Sequence, residues 1–68
     1  MPLGAPLDLT GTLLRDGRRL ILTMSDGGEW IVAPPLFTRI EHVLGQRVRV
    51  TGIRGGFNLI DASRLDRR

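Results

Sequence analysis

The sequence predicts an all-β fold, a small barrel of five strands with one short helix between the third and fourth strands. Five segments with strand-like apolar patterns are centred near residues 11, 21, 31, 50 and 60, and the alternation is regular in the first four of them. This spacing of about ten residues is typical of small barrels and sandwiches. Turns rich in glycine separate most of the segments, and the one longer gap carries apolar residues at helical spacing.

The length of 68 residues allows a single domain and limits the ways in which it can be stabilised. A chain of this size buries only about 60% of its unfolded surface, so small domains often need disulfides, metals or a partner. The absence of cysteine excludes disulfides, and a single histidine without thiolates does not provide a structural zinc site. A closed barrel, self-association or both remain. We expect a flexible leader over residues 1–6, one domain over 7–66 and a tail at 67–68.

The first three strands are predicted over residues 7–15, 18–24 and 29–33. Asp16-Gly17 is a hairpin signal between the first two strands, and residues 25–28 have turn composition. Gly11 falls on the inward face of the first strand, where glycine commonly marks a bulge or a bend. Trp30 shares its strand face with Val32.

A short helix is predicted after Pro34-Pro35, because proline stops a strand and suits a first helical turn. Its apolar face consists of Leu36, Phe37, Ile40, Val43 and Leu44, and His42 lies on the outer face. Gly45 is placed to end it. The fourth strand is then predicted over residues 46–54 and the fifth over 57–65, where mixed alternation indicates either a bulge or a strand buried on both faces.

The order of elements resembles the OB-fold, a five-stranded Greek-key barrel with one helix between strands three and four. The segment from Leu44 to Asp61, LGQRVRVTGIRGGFNLID, is similar to the last two strands of many bacterial OB domains. It is also similar to a family of short bacterial OB-like proteins of unknown function. An SH3-like barrel is the alternative fold. The OB resemblance implies a ligand that crosses strands two and three, between the first hairpin loop and the loop joining strands four and five.

Catalytic residue types are scarce, so we expect a protein that is not an enzyme and that needs no metal or cofactor. His42 has no predicted carboxylate to orient it beside a nucleophile. Gly55-Gly56 lacks the lysine and hydroxyl residue of a phosphate-binding loop. No run of about 20 apolar residues predicts a membrane span, and a cytoplasmic location is expected.

The ten arginines and the absence of lysine give the chain a formal charge of +3. If the chain is an OB-like barrel, two loops distant in sequence bring Arg15, Arg18, Arg19 and Arg54 to one rim. Guanidinium groups bind phosphate bidentately and stack on bases, so this rim predicts contact with single-stranded DNA or RNA. The alternative is an ordinary solvated surface whose arginines reflect GC-rich codon usage.

Base stacking has few candidates, because the chain holds one tryptophan, two phenylalanines and no tyrosine. Phe57, beside Gly55-Gly56, is the credible loop platform, and Trp30 is either a second platform or a core residue. Ile21 and Ile31 point outward on strands two and three, which favours a protein partner or a homo-oligomer instead. Two functions are therefore expected: single-stranded nucleic-acid binding, or protein interaction through these isoleucines.

Overall fold

Five β-strands and one 3₁₀ turn make up the part of the chain that the computed structural model describes, residues 3–35 and 40–68. Every predicted strand is present, with bounds within two residues of expectation. The strands are β1 (Pro6–Asp16), β2 (Arg19–Thr23), β3 (Glu29–Ala33), β4 (Arg47–Arg54) and β5 (Leu59–Arg67).

The strands close into a barrel in the order β1-β2-β3-β5-β4, with β4 paired back onto β1. The pairing of β3 with β5 is parallel, and the other four pairings are antiparallel. This Greek-key arrangement is OB-like, which confirms the predicted fold class. The helical turn lies between β3 and β4, not between the last two strands as the alternative SH3-like barrel requires.

Closure depends on β1, the longest strand, which pairs with two neighbours in succession. Residues 6–12 pair with β4 and residues 12–16 with β2, so Thr12 lies opposite both Thr23 and Arg47. The preceding Gly11 lies under the Thr23 carbonyl, and a Cβ at this position would stand 3.0 Å from the carbonyl carbon. Glycine is therefore required where β2 passes close to the bend, as predicted.

The barrel is filled by aliphatic side chains from every strand. Leu13, Leu22, Val48, Val50 and Ile60 are completely buried. The rest of the core comprises Leu7, Leu20, Val32, Ile40, Val43 and Ala62, with Leu9, Met24, Trp30, Leu44 and Leu65 packed partly buried against it. Inward residues therefore follow the alternation read from the sequence.

The segment between β3 and β4 lies partly outside the described residues, which leave out Leu36 and Phe37 of the expected helix. The described part forms one 3₁₀ turn, Glu41–Val43, which buries Ile40 and Val43 and exposes His42. The chain is already extended at Leu44, and Gly45 takes a φ of 79°, the left-handed conformation expected of a helix-ending glycine.

Two further features refine the expected boundaries. The pairing of β4 with β5 shifts register between Thr51 and Gly52, the bulge that the mixed alternation indicated. At the N-terminal end, Gly4 donates a hydrogen bond to the Arg54 carbonyl at 2.7 Å, and the Arg54 amide donates to Ala5 at 2.9 Å. Part of the expected leader is thus hydrogen-bonded to the end of β4.

Candidate nucleic-acid interface

The β1–β2 hairpin presents three arginines on a tight loop. Asp16 pairs with Arg19, so only Gly17 and Arg18 lie between the strands. Gly17 takes a φ of 62°, a conformation that glycine adopts without a steric cost. Arg15, Arg18 and Arg19 are all exposed. Within residues 3–35 and 40–68 their side chains form no ion pair or hydrogen bond, so their guanidinium groups remain available.

A cavity of about 330 Å³ lies beside these arginines. Its basic side is formed by Arg15, Arg18 and Arg19, and the rest of its described lining is apolar. The apolar lining comes from Leu20, Ile31, Val32, Ala33, Pro34, Ile40 and Leu59. Charge and apolar surface therefore meet in a single concave site, the shape in which small ligands bind.

An aliphatic row crosses the outer face of the sheet next to the cavity. Register places Leu14 opposite Ile21, Ile21 opposite Ile31, and Ile31 opposite Leu59. Leu14 is 45% exposed, and the other three are half-buried. Alternation along β2 and β3 predicted the outward isoleucines. It missed Leu14 and Leu59, which join the row only through the pairings of β1 and β5.

The strand that follows the β4–β5 loop reaches the same cavity. Leu59, the first residue of β5, lines the cavity, and the Ile31 amide of β3 donates to the Asn58 carbonyl of the loop at 2.7 Å. The end of this loop is thus joined to β3 next to the cavity that the β1–β2 arginines line. However, Arg54 does not line the cavity with the other three arginines, because its side chain binds carbonyl groups of its own loop.

The two aromatic candidates differ in their surroundings. Phe57 stands 89% exposed on the β4–β5 loop, where its ring is available to a ligand. Trp30 lies opposite Leu22, a completely buried residue, and packs partly buried against the core. Of the two alternatives considered for Trp30, its packing is that of a core residue.

Several other charged residues are engaged with each other. The Arg49 guanidinium binds both carboxylate oxygens of Asp8, with 2.8 Å from Nε to Oδ1, and Arg64 Nε lies 2.9 Å from Asp66. The hydrogen bond from Arg49 lowers the pKa of Asp8 below its ordinary value of 3.8. The Asp8–Arg49 pair therefore stabilises the folded state above pH 3.8, and this stabilisation is lost as the pH falls through the lowered pKa of Asp8.

Residues 3–35 and 40–68 contain no cluster of three or more histidine, aspartate or glutamate side chains that could hold a metal ion. No helix within these same ranges is long and apolar enough to cross a membrane.

The closed strand order defines the chain as a small all-β barrel domain. Residues 10–68 match the family described as Protein of unknown function (DUF5818), and the chain belongs to that family. Neither a curated protein nor a solved structure matches the sequence of this chain.

Proposed function

We propose that this protein is a non-enzymatic binding module for single-stranded nucleic acid. The observation that carries the proposal is that three arginines, which have no ion pair among the described residues, line one cavity together with apolar side chains. Arg15, Arg18 and Arg19 bind backbone phosphates, and the cavity beside them receives part of a nucleotide. Phe57 stacks on a neighbouring base.

The arginines suit phosphates because no carboxylate in the described part of the chain forms an ion pair with them. Each guanidinium carries a permanent charge and donates hydrogen bonds in the planar geometry that a phosphate accepts. Asp16 lies opposite Arg19 but forms no ion pair with it in the described chain. The loop therefore keeps a net positive charge close to the cavity.

The rest of the site suits a base without reading its identity. The described lining next to the arginines is aliphatic, and Ile31 and Leu59 offer no side-chain hydrogen bonds to a base edge. The exposed ring of Phe57 adds sequence-tolerant stacking of about 1–3 kcal/mol. The proposal therefore implies modest affinity, strong salt dependence and little sequence preference.

Replacing the three loop arginines by glutamine is expected to abolish most of this binding. We expect affinity for a fluorescent oligothymidine to fall about tenfold or more at low salt, because three phosphate contacts are lost. On a log–log plot of affinity against salt concentration, the slope should become shallower by about two, because each of the three lost phosphate contacts accounts for roughly 0.7. Fluorescence anisotropy at several salt concentrations measures both quantities.

The matched control is the triple glutamine variant of Arg47, Arg67 and Arg68. These arginines are exposed, have no ion pair in the described residues and do not line the cavity. The variant loses the same charge but leaves the cavity and its three arginines intact, so it should retain most of the affinity. An equal loss in both variants would mean that binding follows net charge and not the proposed site. No binding by the unaltered protein at low salt would refute the proposal itself.

The aliphatic row favours a second candidate function, contact with a protein partner or with another copy of the chain. Leu14, Ile21, Ile31 and Leu59 form a continuous apolar strip across four strands. Such strips often mark interaction surfaces. Light scattering separates the self-association version from the first candidate, since self-association raises the measured mass with protein concentration.

A further inference from the structure

We propose that Arg54 is a positioning residue that fixes the β4–β5 loop and presents Phe57, and that it does not contact phosphate. This inference rests on the proposed function for its binding consequence, because Phe57 is the stacking group there. Arg54 is then not a charge on the rim but a clamp, by which we mean a side chain that holds the backbone of its own loop at two carbonyl groups.

The clamp is visible in the hydrogen bonds of the Arg54 side chain. Nε donates to the Gly56 carbonyl at 2.8 Å, and Nη2 donates to the Phe57 carbonyl at 2.9 Å. The two acceptors are consecutive peptide groups, so the planar guanidinium grips the loop at two points. The Phe57 ring remains 89% exposed while its backbone is held.

Arg54 is itself fixed on both sides by the backbone. Its amide donates to Ala5 and its carbonyl accepts from Gly4, which joins the end of β4 to the N-terminal segment. Beyond it, the Gly55 amide donates to Leu59 at 2.9 Å and closes the base of the loop. The loop therefore has a rigid anchor at Arg54, and the two guanidinium contacts extend that rigidity to Phe57.

Such a loop lowers the cost of binding through Phe57. An exposed aromatic on a mobile loop loses backbone freedom when it stacks on a base, whereas an aromatic whose backbone is already held has lost that part of its freedom beforehand. Arginine suits this role because its planar fork reaches two carbonyls together, while the lysine ammonium acts as a point charge.

The decisive experiment compares Arg54→Gln, Arg54→Lys and Phe57→Ala in the oligothymidine titration. Each should weaken binding by about 5- to 150-fold, the loss of one stacked base, and should leave the salt slope unchanged. The double variant of Arg54→Gln with Phe57→Ala should bind no more weakly than Phe57→Ala alone, since the clamp acts through the ring. Arg47→Gln is the control for loss of one β4 arginine and should retain most of the affinity.

The opposite pattern would overturn the inference. A phosphate contact at Arg54 predicts a slope reduced by about 0.7 in Arg54→Gln, recovery in Arg54→Lys, and a full additional loss in the Phe57→Ala background. Circular dichroism confirms that each variant is folded before it is compared.

Backbone NMR relaxation tests the clamp without any ligand. The amides of Gly56, Phe57 and Asn58 should be rigid in the unaltered protein and mobile in both Arg54 variants, with the rest of the barrel unchanged. If these amides keep their order in the variants, the clamp is refuted. If the protein binds no oligonucleotide but the loop loosens as expected, the proposed function fails and the structural role of Arg54 stands.

Discussion

Replacing Leu22 by alanine is expected to unfold most of the protein at room temperature. Leu22 is completely buried, and its β2 position lies opposite Leu13 of β1 and Trp30 of β3. Truncating a buried leucine costs about 2–5 kcal/mol, because apolar contacts are lost and a cavity remains. A domain of this length rarely has more than about 3–5 kcal/mol of stability in total, so the loss is comparable to the whole.

Urea denaturation followed by the fluorescence of Trp30 measures this effect. The matched control is Leu14→Ala, which makes the same change on the neighbouring strand at a 45% exposed side chain. We expect the control to change the free energy of unfolding by only about 0.5 kcal/mol. A similar small change for Leu22→Ala would contradict the inward orientation of β2.

Replacing Gly52 by alanine is expected to destabilise the β4–β5 pairing strongly. A Cβ at this position would overlap the Asp61 carbonyl oxygen and stand 2.8 Å from the Ala62 Cα. These are backbone atoms of the paired strand, so neither can move without disturbing the bulge beside it. Such overpacking typically costs about 1–3 kcal/mol and sometimes more.

Gly55→Ala provides the comparison for this substitution. Its Cβ would stand 3.4 Å from a methyl group of Leu59, an ordinary contact with the end of a side chain. Since alanine also restricts the unfolded chain, we expect this control to be neutral or slightly stabilising, by about 0.4–1 kcal/mol at most. Equal urea midpoints for the two variants would show that β5 does not approach Gly52 as closely as described.

The first four strands were predictable because each has one buried face and therefore alternates, whereas the alternation of β5 is mixed around its bulge. Leu20 and Leu22 share one face of β2 and Ile21 lies on the other, which predicts that the two leucines face the core. The observed burial agrees, since both leucines are buried and Ile21 is half-buried. Turn chemistry then located the hairpin at Asp16-Gly17, where the structure has its two-residue loop. These features depend on residues close together in sequence.

The site was less predictable, because it depends on contacts between distant segments. The extension of the aliphatic row to Leu14 and Leu59 requires the register of three strand pairs. The direction of the Arg54 side chain depends on the path of the loop that follows it, and composition alone does not specify that path. The expected position of the two loops in the barrel therefore grouped Arg54 with Arg15, Arg18 and Arg19, whereas hydrogen bonding separates it from them.

The most direct test of the proposed interface is an NMR titration of the isotopically labelled protein with a short oligothymidine at low salt. We expect amide shifts to be concentrated at residues 15–19, at Ile31 and at residues 57–59, which form or adjoin the cavity and carry the proposed stacking ring. Shifts centred on Arg47, Arg67 and Arg68, or no shifts at all, would contradict it.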